Sequence, residues 1–255
     1  MKVLLICFTR ESDFAATMNT IDSANKYCDV AIDFLLVVED RELENAKSFF
    51  NNPKLRFDIQ PDNSTNNNGF KFLENYFRIV AANINEYDHI GKIDSDTMLS
   101  KRISFERNIN YAHKLVDRFN NSTIYGNFYV ISKIGWGKLL KTFISSNEWK
   151  TPYVKLNYGE NRCIAAISER SELTFSHLPI LNIDCFSNWS FKQKIAVRDA
   201  TAIHFWSKGN FVKYYSENGF TSWLFILIAL ENFKRLPKSL INFFKFYLKL
   251  RFIND

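Results

Sequence analysis

Short apolar runs alternate with stretches whose apolar residues recur every three or four positions, and the alternation holds from the N-terminus to near residue 205. Lys2–Phe8 is a continuous apolar run with polar neighbours, the mark of a strand buried on both faces. Phe14–Tyr27 then shows helical spacing, with Phe14, Met18, Ile21 and Ala24 or Asn25 along one side. Ala31–Val38 predicts a second strand, Arg41–Phe50 a helix and Leu55–Ile59 a third strand. Pro61–Gly69 reads PDNSTNNNG, a loop by composition. A helix from about Phe70 to Asn85 turns Phe72, Leu73, Tyr76, Phe77, Val80 and Ile84 inward and delivers the chain to a fourth apolar run, His89–Ile93. Later segments predict a strand at Ile124–Ile131, helices at Gly135–Phe143 and Asn161–Ser168, and a short strand at Ala202–Phe205.

Strands alternating with helices imply an α/β domain, a mostly parallel sheet with helices on both faces. Right-handed crossovers then bring Thr9–Ser12, Glu39-Asp40 and Asp94–Asp96 to one sheet edge, the edge where open α/β sheets bind ligands. The sequence YDHIGKIDSDTMLS, Tyr87–Ser100, therefore stands out: a buried strand ends on Asp94-Ser95-Asp96. Two carboxylates one residue apart are hard oxygen donors suited to Mg²⁺ or Mn²⁺. A polar turn after a strand is the competing reading, since Asp and Ser are common in turns.

Composition narrows the partners. The chain has 255 residues, 46% of them apolar, with 25 Phe and 11 Tyr to fill a core. Only 8 Gly and 5 Pro argue against a long linker. A net charge of +6 suits an anionic partner: a nucleotide, a phospholipid surface or a nucleic acid. Cys7, Cys28, Cys163 and Cys185 form no Cys-x-x-Cys pair, and the apolar start is too short for a signal peptide. The expectation is a cytoplasmic protein with free thiols, in which the sequons at Asn63, Asn120, Asn121 and Asn188 carry no glycan.

From Asn232 to Asn254 the chain has six basic residues and no acidic one. Leu240, Ile241, Phe244, Tyr247 and Leu248 line one helical face, with Lys238, Lys245 and Lys249 on another. That pattern predicts a basic amphipathic helix at an anionic membrane interface, peripheral to the inner face of the cytoplasmic membrane. A helix packed on its own domain with a solvated Lys face is the alternative. The organisation expected is a domain over residues 1–210 and a helical tail over 211–255.

With these segments placed, residues 1–210 resemble the GT-A class of nucleotide-sugar glycosyltransferases. Several motifs resemble the retaining family that holds glycogenin and the bacterial lipopolysaccharide glucosyl- and galactosyltransferases. Tyr76-Phe77-Arg78 precedes Asp94 by sixteen residues, as a Tyr-x-Arg helix precedes the Asp-x-Asp there. Gly126-Asn127-Phe128 matches an Asn-containing strand, Gly159-Glu160-Asn161 a polar helix start, and Ile203-His204-Phe205 a late His-Phe segment. Trp206-Ser207-Lys208-Gly209 departs from the family's Gly and Lys-Pro-Trp, and its acidic–amide–acidic triplet is absent.

The resemblance implies a GT-A-like fold and a metal-dependent transfer of sugar from a nucleotide diphosphate, with uridine diphosphate as the carrier. It implies Mn²⁺ or Mg²⁺ held by Asp94, Asp96 and His204, with Asp96 the more direct ligand and Asp94 toward ribose or metal-bound water. It assigns donor contacts to Glu39, Asp40, Arg78, Asp94, Ser95, Asp96 and Lys208, and position after the first strand adds Thr9 and Arg10 to the nucleoside pocket. Glu160 becomes the general base of an inverting enzyme, or a residue favouring a helix N-terminus in a retaining one. For Asp40, helix N-capping competes with a nucleobase contact. For Arg78 the rival role is an exposed helix charge, and for His204 a satisfied core histidine. The acceptor implied is a glycan or lipid-linked glycan of a bacterial surface polysaccharide or lipopolysaccharide.

Two other classes compete. A sugar-nucleotide pyrophosphorylase needs a Gly-rich phosphate loop after the first strand, where this chain has Thr9-Arg10-Glu11-Ser12. A non-catalytic basic module for membrane or nucleic acid shows no recognisable nucleic-acid signature and leaves the Asp pair and His204 without a role.

Overall fold

The structure is a computed structural model that describes residues 1–60, 69–116, 122–145, 160–182 and 200–205. The first strand, β1 (Val3–Phe8), is buried along almost its whole length, as its unbroken apolar run requires. Helix α1 (Phe14–Tyr27) follows after a single 3₁₀ turn, then β2 (Ile32–Glu39), α2 (Leu43–Phe50) and β3 (Arg56–Gln60). Helix α3 (Gly69–Asn83) leads to β4 (His89–Ile93), every residue of which is buried. The chain continues through β5 (Thr97–Leu99), β6 (Tyr111–Val116), β7 (Ser122–Ser132), α4 (Lys133–Ser145), α5 (Glu160–Arg170), β8 (Ser176–His177), β9 (Ile180–Asn182) and β10 (Ala202–His204).

Among the described residues seven strands form one sheet in the order β3-β2-β1-β4-β7-β6-β8. The ladders among β3, β2, β1 and β4 are parallel, and β7 alone runs against the rest. The fold is thus α/β with a mostly parallel mixed sheet. The strand order reverses at β1, which has β2 on one side and β4 on the other. Reversal sends the crossovers to opposite faces. One core cluster joins Leu4, Ile6 and Ile90 to Tyr76, Phe77, Trp136 and Ile164, so it lies under α3, α4 and α5. The other joins Val3, Leu5 and Leu36 to Phe14, Ile21 and Phe50, under α1 and α2.

A second, three-stranded sheet in the order β5-β10-β9 adjoins the face that carries α1. Helix α1 meets it through hydroxyls as well as apolar groups. Thr20 Oγ1 donates to Ser95 O at 2.9 Å, and Ser23 Oγ accepts from Leu99 N at 3.0 Å. Thr17, Thr20 and Ser23 are buried with Phe14, Ile21 and Ala24, while Met18 is only half-buried and Asn25 is exposed. The inward face of α1 is therefore more polar than apolar spacing predicts, because β5 presents backbone groups that need partners.

Among the described residues no helix is long and apolar enough to cross a membrane. The tail over 211–255 and the loop over 61–68 lie outside the described residues.

Strand β4 has flanking strands on both sides and no room for a larger residue at Gly91. A Cβ there would meet Tyr129 O at 2.5 Å and Val130 Cγ2 at 2.9 Å. A backbone carbonyl held in a ladder does not swing aside. Gly91→Ala is expected to destabilise the protein by ~1–3 kcal/mol, the usual cost of overpacking. Chemical denaturation of the two proteins measures the difference, and equal midpoints would show that β4 and β7 separate freely.

Candidate metal centre

Strand β4 ends at Ile93, and the chain turns at once through Asp94-Ser95-Asp96 into β5. Asp94 N donates to Asn127 O on β7 at 2.8 Å, and Thr97 N donates to Asp94 O at 3.0 Å. These bonds hold the turn's backbone at the C-terminal edge of the sheet, directly beside the reversal point between β1 and β4.

More than a hundred residues later, β10 lies antiparallel to β5, with His204 opposite Thr97 and Ile203 opposite Met98. Phe205 N donates to Asp96 O at 3.0 Å and extends the ladder past His204. The register therefore sets His204 beside the acidic turn. His204 Nε2 lies 3.0 Å from Asp96 Oδ1 and 3.7 Å from Asp94 Oδ2. The side chains of Asp96 and His204 are 11% and 6% exposed, and that of Asp94 is 32% exposed, so the group opens to solvent on the Asp94 side.

One ligand atom from each of the three residues lies within 4.8 Å of the other two. Six-coordinate Mg²⁺ bound at about 2.1 Å sets adjacent ligand atoms roughly 3.0 Å apart. Two carboxylates and one imidazole at these separations can hold a metal ion. As a protein-only arrangement the same atoms are costly, because two carboxylates share a largely buried corner with a ring that is cationic only when protonated.

Two groups that periodicity does not single out belong to this corner. Lys92, on β4 and only 4% exposed, donates to Asp94 Oδ1 at 2.6 Å and to Gly126 O at 2.8 Å. Its ammonium also lies 5.4 Å from the centre of the Phe72 ring. Asp13, just before α1, makes no side-chain cap bond to that helix. Burial, and after it the charge of Asp96, holds the Asp13 carboxyl above the usual carboxylate range. Cys7, at the end of β1, is raised by its own burial first and then by Asp94. The charges of Asp94, Asp96 and Asp13 raise the Cys7 thiol further, and that of Lys92 lowers it.

Of the other sequence-predicted residues, Thr9, Arg10, Glu39 and Asp40 follow β1 and β2 along the same edge. Thr9 is buried at the end of β1, with its hydroxyl 2.7 Å from that of Thr17, and Arg10 beside it is exposed. Glu39, at the end of β2, is buried and pairs with Arg41 at 2.5 Å. Asp40 is exposed and opens a 3₁₀ turn; Glu42, not Asp40, holds the N-cap position of α2. Ser95 contributes its backbone carbonyl to Thr20. Arg78 is exposed on α3, bonded to Asn75 and 3.6 Å from Asp58 on the edge strand β3, an engagement away from the acidic turn. Glu160 begins α5, the helix start expected of it, and its side chain lies outside the described residues, as does Lys208.

No protein-family model matches the chain, and no curated protein matches it either.

Binding of a cation to the folded state alone stabilises it by mass action, by ~2.7 kcal/mol at a hundredfold excess over Kd. Mn²⁺ is expected to raise the melting temperature of the protein, a chelator to reverse the rise, and His204→Ala to shrink it. A differential scanning measurement with and without Mn²⁺ decides, and an identical rise in His204→Ala would remove the histidine from the ligand set.

Proposed function

We propose that the protein is a metal-dependent glycosyltransferase with a GT-A-like fold that takes a sugar from a nucleoside diphosphate donor. The observation that carries this reading is the convergence of Asp94, Asp96 and His204 at the reversal point of the sheet, on the edge where parallel strands end. The metal proposed is Mn²⁺ or Mg²⁺, and the imidazole favours Mn²⁺, which takes a nitrogen donor more readily than the harder Mg²⁺.

Breaking an anomeric carbon–diphosphate bond places growing negative charge on the leaving group, and the catalyst must meet that charge. When bound, the divalent cation supplies positive charge to the departing diphosphate. Asp96 and His204, the more buried of the three, would hold it together with Asp94, whose side chain is the most open to solvent. In this reading Thr9, Arg10, Glu39 and Asp40 border the nucleoside, since they follow β1 and β2 on the same edge. Uridine diphosphate is the carrier proposed, by resemblance. Lys208 is proposed to meet the diphosphate. Glu160 is proposed as the base that takes the acceptor proton if the reaction inverts. Arg78 keeps its donor-contact assignment only if it leaves Asp58 when the donor binds. The acceptor proposed is a glycan or lipid-linked glycan of a bacterial surface polysaccharide or lipopolysaccharide.

The location proposed is cytoplasmic, at the inner membrane face, through the basic segment 232–255. Basic groups near an anionic leaflet contribute about 1 kcal/mol each.

Two measurements test these proposals. Release of nucleoside diphosphate from a panel of nucleotide sugars, with Mn²⁺ present or chelated, is expected for at least one donor only when Mn²⁺ is present. Asp96→Ala should lower that turnover by at least a hundredfold with an unchanged far-UV spectrum, and full turnover in the variant would overturn the site. Removal of residues 232–255 is expected to weaken binding to anionic vesicles while leaving donor binding intact; unchanged vesicle binding would remove the membrane proposal.

A further inference from the structure

Lys92 is the one charged residue in the apolar run of β4, and burying an ammonium is expensive unless its donors are met. Among its acceptors are two of different kinds. Gly126 O belongs to β7, the strand paired with β4. Asp94 Oδ1 belongs to the turn that follows β4. The ammonium thus ties the Asp94 side chain to the backbone of the rigid sheet. The aliphatic stem is enclosed by the core, and the head lies against the Phe72 ring. At 2.6 Å the bond to Oδ1 is a charge-assisted one, and it leaves Oδ2 as the oxygen on the His204 side, 3.7 Å from Nε2.

We propose that Lys92 is a positioning residue of the metal centre: it occupies Oδ1 of Asp94, fixes the carboxylate plane, and so offers the cation a single oxygen, Oδ2. This rests on the metal reading above. A long-range consequence of charge alone runs the other way. A lysine beside a cation site repels the cation, so a lysine present only to offset carboxylate charge weakens metal binding, and its removal tightens it. A lysine that orients a ligand strengthens binding, and its removal weakens it, by roughly 10- to 100-fold for partners that orient metal ligands. The sign of the change therefore separates the two roles.

The test is Mn²⁺ affinity, measured by calorimetric titration and by the electron paramagnetic resonance of free Mn²⁺, on the full chain. Lys92→Met is expected to weaken Mn²⁺ binding by roughly 10- to 100-fold. Lys92→Arg, which keeps the charge but places its planar head differently, is expected to weaken it as well. In an Asp94→Ala background, Lys92→Arg should have no further effect and Lys92→Met should cause no further loss, because the lysine strengthens binding only through that carboxylate. Tighter or equal binding in Lys92→Met would overturn the proposal in favour of charge offset. Additive losses in the double variant would overturn it in favour of general loosening of β4. Should Lys92→Met fail to fold, the Lys92→Arg cycle decides in its place: unchanged affinity, or a loss that adds to that of Asp94→Ala, overturns the proposal. A parent protein that binds no Mn²⁺ would remove the metal reading and this proposal together, an outcome distinct from all of these.

Discussion

The candidate centre depends on one antiparallel pairing. Three residues of β10 lie against three of β5, and that short ladder alone brings position 204 to positions 94 and 96. A three-residue ladder is weak by itself. Its support comes from both sides: β9 runs parallel to β10 on the far edge, and α1 holds the Ser95 carbonyl and the Leu99 amide by buried hydroxyls. Each such bond contributes about 1 kcal/mol net, and leaving its partner unmet in the interior costs more. The register cannot slip by one residue without turning His204 away from the turn and Ile203 into it. Register thus does here what a disulfide or a short loop does elsewhere, joining groups that the chain keeps far apart.

The large sheet supplies the other half of the geometry. Because β1, β2 and β4 are parallel, their ends share an edge, and because their order reverses at β1, that edge has a gap between diverging connections. The acidic turn sits beside that gap. Gly91 lets β4 approach β7 closely, and β7 then offers two carbonyls to the site's foundations: Asn127 O to the Asp94 amide and Gly126 O to Lys92. Strand packing and site placement are the same set of contacts.

Much of this was legible from periodicity. Phe14–Tyr27 and His89–Ile93 have the bounds the apolar pattern predicts, because each is a long helix or a fully buried strand with polar residues at both ends. The strand β6 escaped, since its sequence YAHKLV breaks alternation at His113 and Lys114, where the ladder itself has an irregularity. β5 and β9 have three residues each, too few for any period to show. At the site, Asp94 and Asp96 announce themselves by adjacency, and His204 by its place after a late apolar segment. Lys92 does not, because a lone charge inside an apolar run reads as an imperfection of the strand. Asp13 is hidden for a different reason: an acid before a helix is ordinarily a companion of the helix dipole. Only the folded arrangement shows that its carboxyl is instead raised by burial and by Asp96.

The balance of charge explains why such a corner exists at all. Asp94 and Asp96 share one corner with His204, the charge of Asp96 bears on Asp13, and Lys92 binds Asp94. A fold selected for stability alone would gain by replacing such a cluster with apolar residues, since buried ionic groups commonly cost more in lost hydration than they return in attraction. His204, 3.0 Å from Asp96, can give its lone pair to a cation that also satisfies both carboxylates. Such a cation would meet both carboxylates with one group. It also makes the stability of the corner depend on the ion, so the same residues that are costly to the protein alone make this edge receptive. The buried charge is concentrated where the sheet opens, beside two clusters built from apolar side chains.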